Sequence, residues 1–262
     1  MTAAVPQIAE LLAPLSWCTV DFISDLHLHA SEPATFEAWQ NYMQTTPADA
    51  VFILGDLFEV WVGDDAMGNA YPGFEDACVK VLAQTGEQVP VFFMHGNRDF
   101  LVGQDMMARG NTVLLQDPTV LVFNQQRWLL SHGDALCLDD VDYMRFRKEV
   151  RSTKWQQDFL ARPLAERQSI AAALRTQSEA RKQAGAVYAD VDADCARAWL
   201  LAADARVLIH GHTHKPAKHD LGNGLGGGLS RIVLSDWDAA AQPPRAEVLR
   251  LSASGLQRVT LS

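Results

Sequence analysis

Four short runs rich in β-branched and aromatic residues punctuate the chain, at 19–24, 51–54, 91–94 and 207–210. A fifth apolar run lies at 128–131. Each is too short for a helix and is bounded by polar or turn-forming residues, so each reads as a buried strand. Between them, two stretches carry apolar residues at helical spacing. Phe36, Trp39, Tyr42 and Met43 share one face of 31–45, and Cys78, Val79 and Leu82 share one face of 75–85. Strand, helix and strand in this order predict crossover connections and an α/β architecture.

After Asp140 the pattern changes. Residues 141–203 contain no strand pattern, are rich in Ala, Arg, Gln and Glu, and carry Pro163 where a helix would begin. They read as two or three helices inserted as a cap, which leaves 1–140 and 204–262 as the core. Strand patterns resume near Arg206 and recur at 231–235, 246–251 and 256–261. The stretch 222–228 holds five glycines in seven residues and is expected to be a flexible loop close to His212 and His214.

The segments at the ends of the five strand runs are chemically distinctive. In chain order they are Asp25-Leu26-His27, Gly55-Asp56, Gly96-Asn97-Arg98-Asp99, Ser131-His132-Gly133-Asp134 and Gly211-His212-Thr213-His214. Sites in mixed α/β sheets gather at the carboxyl ends of strands, so these five loops are expected to meet. Carboxylate, imidazole and amide oxygen together suit Mn²⁺, Fe²⁺, Co²⁺ or Zn²⁺. Two such ions about 3.5–4 Å apart can share a carboxylate and a hydroxide, clamp phosphoryl oxygens and stabilise charge during in-line attack. Asp56 is assigned as the bridging carboxylate. Asp25, His27 and His214 complete one metal, and Asn97, His132 and His212 the other. Asp99 and Asp134 read as residues that orient an imidazole or the backbone.

Composition narrows the context. A chain of 262 residues, 48% of them hydrophobic, supports a substantial core. Cysteines 18, 78, 137 and 195 show no metal-binding spacing and read as reduced thiols. Residues 8–15 are apolar but are interrupted by Glu10 and Pro14 and lack a preceding Lys or Arg, so they do not read as a secretion signal. No segment reaches the ~18 uncharged apolar residues of a spanning helix; a cytoplasmic location is expected. The net charge is −10, yet residues 143–185 hold ten Lys and Arg against four acids. That local excess predicts contact with an anion. Nucleic acid is disfavoured, because the basic residues are interleaved with long apolar ones and the remaining surface is acidic.

Taken together, Asp-x-His, Gly-Asp, Gly-Asn-x-Asp, His-Gly-Asp and Gly-His-x-His resemble the calcineurin-like metallophosphoesterase family from Thr19 to Asp238. The resemblance implies two mixed β-sheets packed as a sandwich flanked by helices, and the same metal-ligand roles. Many members follow the Asn with a His that protonates the leaving oxygen; this chain has Arg98. A guanidinium does not donate a proton near neutral pH, but it holds charge developing on a phosphoryl group. A phosphate leaving group, with a second pKa near ~6, needs no acid. Arg98 therefore favours cleavage of a phosphoanhydride over an alkyl monoester.

The stretches 55–65, 95–101 and 210–216 more narrowly resemble the bacterial UDP-2,3-diacylglucosamine hydrolase family. That resemblance implies cleavage of the pyrophosphate bond at the α-phosphorus, giving UMP and 2,3-diacylglucosamine 1-phosphate in lipid A biosynthesis. It also implies two Mn²⁺ ions and peripheral attachment to an anionic inner-membrane surface on its cytoplasmic side, with a monomer favoured. Substrate-contacting positions fall on Asn97, Arg98, Asp140, Ser178 and His212, and on Arg181 or Lys182, Lys182 being preferred. The cap residues Phe146, Val150, Trp155, Phe159, Leu160, Leu164, Ile170 and Leu174 are expected to line a cleft for acyl chains, with Arg145, Arg147 and Arg151 turned toward lipid phosphates. Two alternatives stand beside this reading: a phosphodiesterase or phosphatase of soluble nucleotides, and a binding module that has lost its metals. Against the second, all seven ligand positions carry coordinating residues.

Overall fold

The computed structural model describes residues 5–68, 72–183, 189–224 and 227–261; the side chains of 177–183 fall outside what it describes. In the first half, β1 (Ala9–Leu12), β2 (Thr19–Ile23), α1 (Pro33–Thr45), β3 (Ala50–Ile53), α2 (Phe74–Gly86), β4 (Val91–Met94), α3 (Gln104–Arg109) and β5 (Thr112–Leu115) follow one another. The antiparallel pair β6 (Thr119–Phe123) and β7 (Gln126–Ser131) leads into α4 (Val141–Val150), α5 (Thr153–Leu160), α6 (Leu164–Gln183) and α7 (Ala193–Ala202). The chain ends with β8 (Val207–His210), β9 (Ala217–Gly224), β10 (Gly227–Val233), β11 (Glu247–Ser252) and β12 (Gly255–Thr260).

Two six-stranded sheets result, in the orders β12-β11-β2-β3-β4-β5 and β1-β6-β7-β8-β10-β9. In the first, β2 to β5 are parallel, with the β11–β12 hairpin added antiparallel at one side. In the second, β7, β8 and β10 run parallel, and β9 closes the edge antiparallel to β10. Alternation along the strands sorts the core into layers. Val20, Phe22, Phe52 and Leu54 pack between the sheets, whereas Ile23, Val51 and Ile53 face the α1–α2 layer. Phe52 stacks on Phe92 of the neighbouring strand, with ring centroids 4.7 Å apart. Each such fully buried aromatic or aliphatic side chain contributes about 1.5–3 kcal/mol through removal from water.

The outer face of the second sheet corrects the expected cap boundary. Cys195, Trp199 and Leu200 of α7 pack against Val120, Leu129 and Leu208, so this helix belongs to the core layer and not to the inserted cap. The cap proper is α4 to α6. Of the glycine-rich stretch expected to be a loop, residues 222–224 close β9 and 227–228 open β10, and 225–226 lie outside the described residues. Strand β9 is polar and half-exposed, as an edge strand permits. Its Lys218, His219 and Asp220 carry no apolar period from which a strand could be read.

The cap is fixed to the core by one buried and two half-buried arginines. Arg167 of α6 is 1% exposed and donates to Val62 O and to both carboxylate oxygens of Asp65. Arg147 of α4 donates from Nε to Asp134 Oδ2 at 2.7 Å, and Arg151 donates to Gly96 O at 2.9 Å while its guanidinium lies over Phe100. Arg147 and Arg151 were expected to face lipid phosphates; their charges are instead directed inward. Arg145 and Lys154 pair along their own helices with Asp142 and Asp158, and Arg162, in the turn before α6, pairs with Glu166 on that helix. Much of the positive excess of the segment is thus matched by nearby acceptors.

On the outer face of β2, Asp21 is fully buried and accepts 2.8 Å hydrogen bonds from Arg250 Nε and NH2 and a 2.9 Å bond from the Tyr42 hydroxyl. This joins the C-terminal hairpin to the parallel sheet and to α1. Arg250→Ala leaves a buried carboxylate without its cation, and is expected to lower stability by about 3 kcal/mol. A shift of the urea midpoint at unchanged m-value measures it.

Candidate metal centre

All five motifs begin at the carboxyl ends of strands and converge at one end of the sandwich. β2 delivers Asp25 and His27, β3 Asp56, β4 Asn97, β7 His132, and β8 His212 and His214. The loops turn at once on leaving the sheet. Asp25, His27, Asp56, His212 and His214 all adopt left-handed backbone with φ between 50° and 69°, a conformation that side-chain-bearing residues hold only when their surroundings demand it. Two glycines permit the approach. Gly55 has φ 90°, and a Cβ there would lie 2.6 Å from both Gly96 Cα and His132 Nδ1; a Cβ on Gly96 would collide with Asp56.

The side chains divide into two facing clusters. In one, His27 Nε2 and His214 Nε2 are 3.2 Å apart, and His214 Nε2 is 3.3 Å from Asp25 Oδ1. In the other, Asn97 Oδ1 lies 3.0 Å from His132 Nε2 and 2.7 Å from His212 Nδ1. Asp56 stands between them: Oδ2 is 3.9 Å from His27 Nε2, and Oδ1 is 3.8 Å from His132 Nε2. Imidazole nitrogens and oxygens from five separate loops therefore converge, with His132 Nε2 and His212 Nδ1 both within hydrogen-bond distance of Asn97 Oδ1. Among the described residues, Asp25, His27 and His214, and likewise Asp25, Asp56 and His132, present ligand atoms all within 4.8 Å of one another. The donor set and its convergence fit divalent cations.

The supports behind these atoms are as specific as the atoms themselves. His132 Nδ1–H donates to Leu54 O at 2.9 Å, leaving Nε2 as the nitrogen turned toward Asn97 and Asp56 and available to a cation. The His212 backbone N–H donates to both oxygens of Asp25, and Ser24 Oγ donates to Asp25 Oδ2 at 2.5 Å. Asp99, fully buried, accepts backbone N–H bonds from Gly96 and Leu57 at 2.8 Å and from Asp56 at 3.3 Å. It orients backbone, as its position suggested. Asp134 does something else: it receives Tyr143 Oη and Arg147 Nε, each at 2.7 Å, and so orients the cap.

Sequence reasoning did not single out Glu59. Its Oε2 lies 3.0 Å from His27 Nδ1, and its Oε1 lies 3.8 Å from Arg98 NH1 and 3.3 Å from Arg175 Nε. It did not single out Tyr143 either, which stacks on His212 with centroids 5.7 Å apart. Both sit close to motif residues, Glu59 three residues after Asp56 and Tyr143 three after Asp140, but their partners come from distant segments.

A cleft of about 760 Å³ opens from these clusters. Its lining joins a polar part, with His27, Asp56, Asn97, Arg98, Asp140, His212, His214 and Lys215, to an apolar part, with Trp61, Phe146, Ile170, Leu174 and the mutually packed Phe100, Trp155 and Phe159. Asp140 is also the N-cap of α4, accepting from Tyr143 N at 3.0 Å. Ser178, Arg181 and Lys182 lie on the last turns of α6, where side chains fall outside those described.

The electrostatics are those of a cation site. Burial disfavours charge on Asp25, but the histidines His214, His132 and His27 outweigh it and hold the carboxyl below the usual range. Burial likewise opposes charge on His132, yet Asp56, Asp134 and Asp25 raise its pKa to about 9. His212 is lowered to about 4 by burial and by the adjacent His132. Asp99 is raised to about 7 by burial and by Asp56. Burial opposes the charge of Glu59 too, but His27, Arg98 and Arg175 hold it at about 2.

The profile of the calcineurin-like phosphoesterases matches residues 18–216, a span that includes every one of these ligand positions. The chain belongs to this family. Such a phosphoesterase domain implies a divalent metal, and the two clusters are the groups suited to hold it. Among curated relatives, proteins named UDP-2,3-diacylglucosamine hydrolase are 43% identical in Ralstonia nicotianae, 42% in Chromobacterium violaceum and 41% in Stenotrophomonas maltophilia. The alignments cover 88%, 92% and 93% of this chain, and 88%, 98% and 99% of the respective relatives.

A coordinating imidazole must be neutral, whereas His132 in the metal-free phosphoesterase stays protonated until the pH rises past about 9. Metal uptake at neutral pH is therefore expected to release protons, and affinity to increase with pH. Titration calorimetry in buffers of differing ionisation enthalpy measures the release; uptake without it contradicts the assignment of His132.

Proposed function

We propose that this phosphoesterase hydrolyses the pyrophosphate bond of UDP-2,3-diacylglucosamine at the α-phosphorus, in lipid A biosynthesis. Water adds to the α-phosphorus, the bridging oxygen departs with the β-phosphate, and the products are UMP and 2,3-diacylglucosamine 1-phosphate. The observation that carries this reading is the cleft, which joins a cation site to an apolar sleeve under one cap. A diphosphate suits the first part and acyl chains the second. The names of the relatives support the same substrate.

Two Mn²⁺ ions, held by Asp25, His27 and His214 on one side and Asn97, His132 and His212 on the other with Asp56 between, would supply Lewis-acid charge and an acidified water. Arg98 stands in the polar part of the cleft, with its backbone N–H donating to Asp56 Oδ1 at 2.8 Å. Its guanidinium holds negative charge as it builds on the transferred phosphoryl group. No acid is required at the leaving β-phosphate. Asp140 borders the same part of the cleft, and Ser178 and Lys182 belong to the proposed contacts with the sugar and lipid part.

Peripheral attachment to the cytoplasmic face of an inner membrane is part of the proposal. No helix among the described residues is long and apolar enough to cross a membrane. Val60, Phe146 and Leu174 line the cleft yet remain 42%, 39% and 44% exposed, an apolar rim where chains would enter from a bilayer.

With Mn²⁺ and the diacylated nucleotide in ¹⁸O water, the label is expected in UMP, and activity is expected to collapse when the acyl chains are removed. Equal turnover of a deacylated or soluble nucleotide would favour the alternative phosphodiesterase. Arg98→Ala is expected to lower kcat by about 10²-fold while metal content stays the same. Loss of metal in this variant would assign Arg98 a different role.

A further inference from the structure

We propose that Glu59 is the positioning residue of the centre, a carboxylate that fixes the ring of His27 from behind and holds Arg98 and Arg175 over the same cleft. Its two oxygens divide the work. Oε2 is 3.0 Å from His27 Nδ1, and Oε1 is 3.8 Å from Arg98 NH1 and 3.3 Å from Arg175 Nε. The contact with His27 is an ion-pair approach, and Nδ1 has no other hydrogen-bond acceptor among the described residues. A metal-ligating histidine that turns Nε2 to the ion needs a partner for Nδ1–H to set the tautomer and the tilt of the ring, and Glu59 is the carboxylate placed to become it. The Glu59 backbone is itself tied to the loop it supports, its N–H donating to Leu28 O at 3.2 Å, beside the bridge between Leu28 and Phe58. The carboxylate is thus carried on the Asp56 loop, braced against the His27 loop, and only 12% exposed.

The other oxygen reaches beyond the metal loops. Arg98 comes from the loop after β4 and Arg175 from α6 of the cap, and both line the cleft together with Glu59. One acid therefore relates a ligand imidazole, the arginine assigned to transition-state charge, and a cap helix. The claim about Arg98 rests on the proposed function; the claim about His27 rests only on the metal site.

The test separates the two by comparing Glu59→Ala with Glu59→Gln. The amide of Gln has one acceptor oxygen, which can take the His27 Nδ1–H while its NH2 faces the guanidiniums without attraction. Equilibrium dialysis of Mn²⁺ is expected to show an affinity loss of about 10–100-fold for Ala, with Gln within about threefold of the wild type. With the diacylated nucleotide at saturating Mn²⁺, Gln is expected to lower kcat about tenfold without raising KM, since the substrate still meets both cations. Wild-type metal affinity in folded Glu59→Ala overturns the role toward His27, and wild-type kcat in Glu59→Gln overturns the role toward Arg98. Should Glu59→Ala not fold, Glu59→Asp replaces it: its shorter arm is expected to lower affinity, and unchanged affinity overturns the proposal. If the wild type binds Mn²⁺ but leaves the nucleotide intact, the substrate reading fails while the dialysis result still judges Glu59.

Discussion

Four carboxylates, Asp25, Asp56, Asp99 and Asp134, lie within 1% of complete burial at one end of the sandwich. Ionised acids cannot be withdrawn from water together unless each finds positive charge or N–H donors. The arrangement of this end of the molecule follows from how that demand is met. Asp99 takes backbone N–H groups from the Asp56 and Asn97 loops, and by doing so aligns two ligand segments. Asp134 takes Arg147 and Tyr143, and by doing so seats the cap. Asp25 and Asp56 are left facing imidazoles, where a divalent cation completes the balance. The metal centre, the loops behind it and the lid over it are three answers to one electrostatic problem.

This also explains why the cap and the core are so closely joined despite an insertion of many residues. Tyr143 both stacks on His212 and donates to Asp134, so one side chain of the cap touches a candidate ligand and the acid that seats the cap. Arg151 reaches the carbonyl of Gly96, immediately before Asn97. At the opposite side, Arg167 enters the core beside Trp61 and Val62, two residues that line the sleeve. The cap is held where the reacting groups are, and also where the apolar part of the cleft begins.

The strands that carry the motifs, and the polar side chains that converge beyond them, were legible because both signals are local: a run of β-branched and aromatic residues, then an acid, a histidine or Asn97 within four positions of its end. The left-handed backbone of Asp25 and His212 was not legible, since it arises from loops crowding one another across the sheet. Residues 193–202 were legible only as part of a helical segment, and a helical pattern does not say whether the burying surface is a cap or a sheet. Arg147 and Arg167 were visible only as charge. Their acceptors, Asp134 and Asp65, lie 13 and 102 residues away, and a local charge count contains neither. Glu59 was hidden for the same reason, as its three partners come from three other parts of the chain.

The stacked pair Trp155 and Phe159, with ring centroids 4.7 Å apart and Phe100 packed against Trp155, forms a wall of the sleeve. Its rings have few rotatable bonds and are already packed by neighbours on both cap and core. A flexible hydrocarbon entering this space surrenders its own conformational freedom, but the protein surrenders little in return. The wall is thus set by the packing of cap on core before any guest arrives, and not by loops that reshape themselves around it.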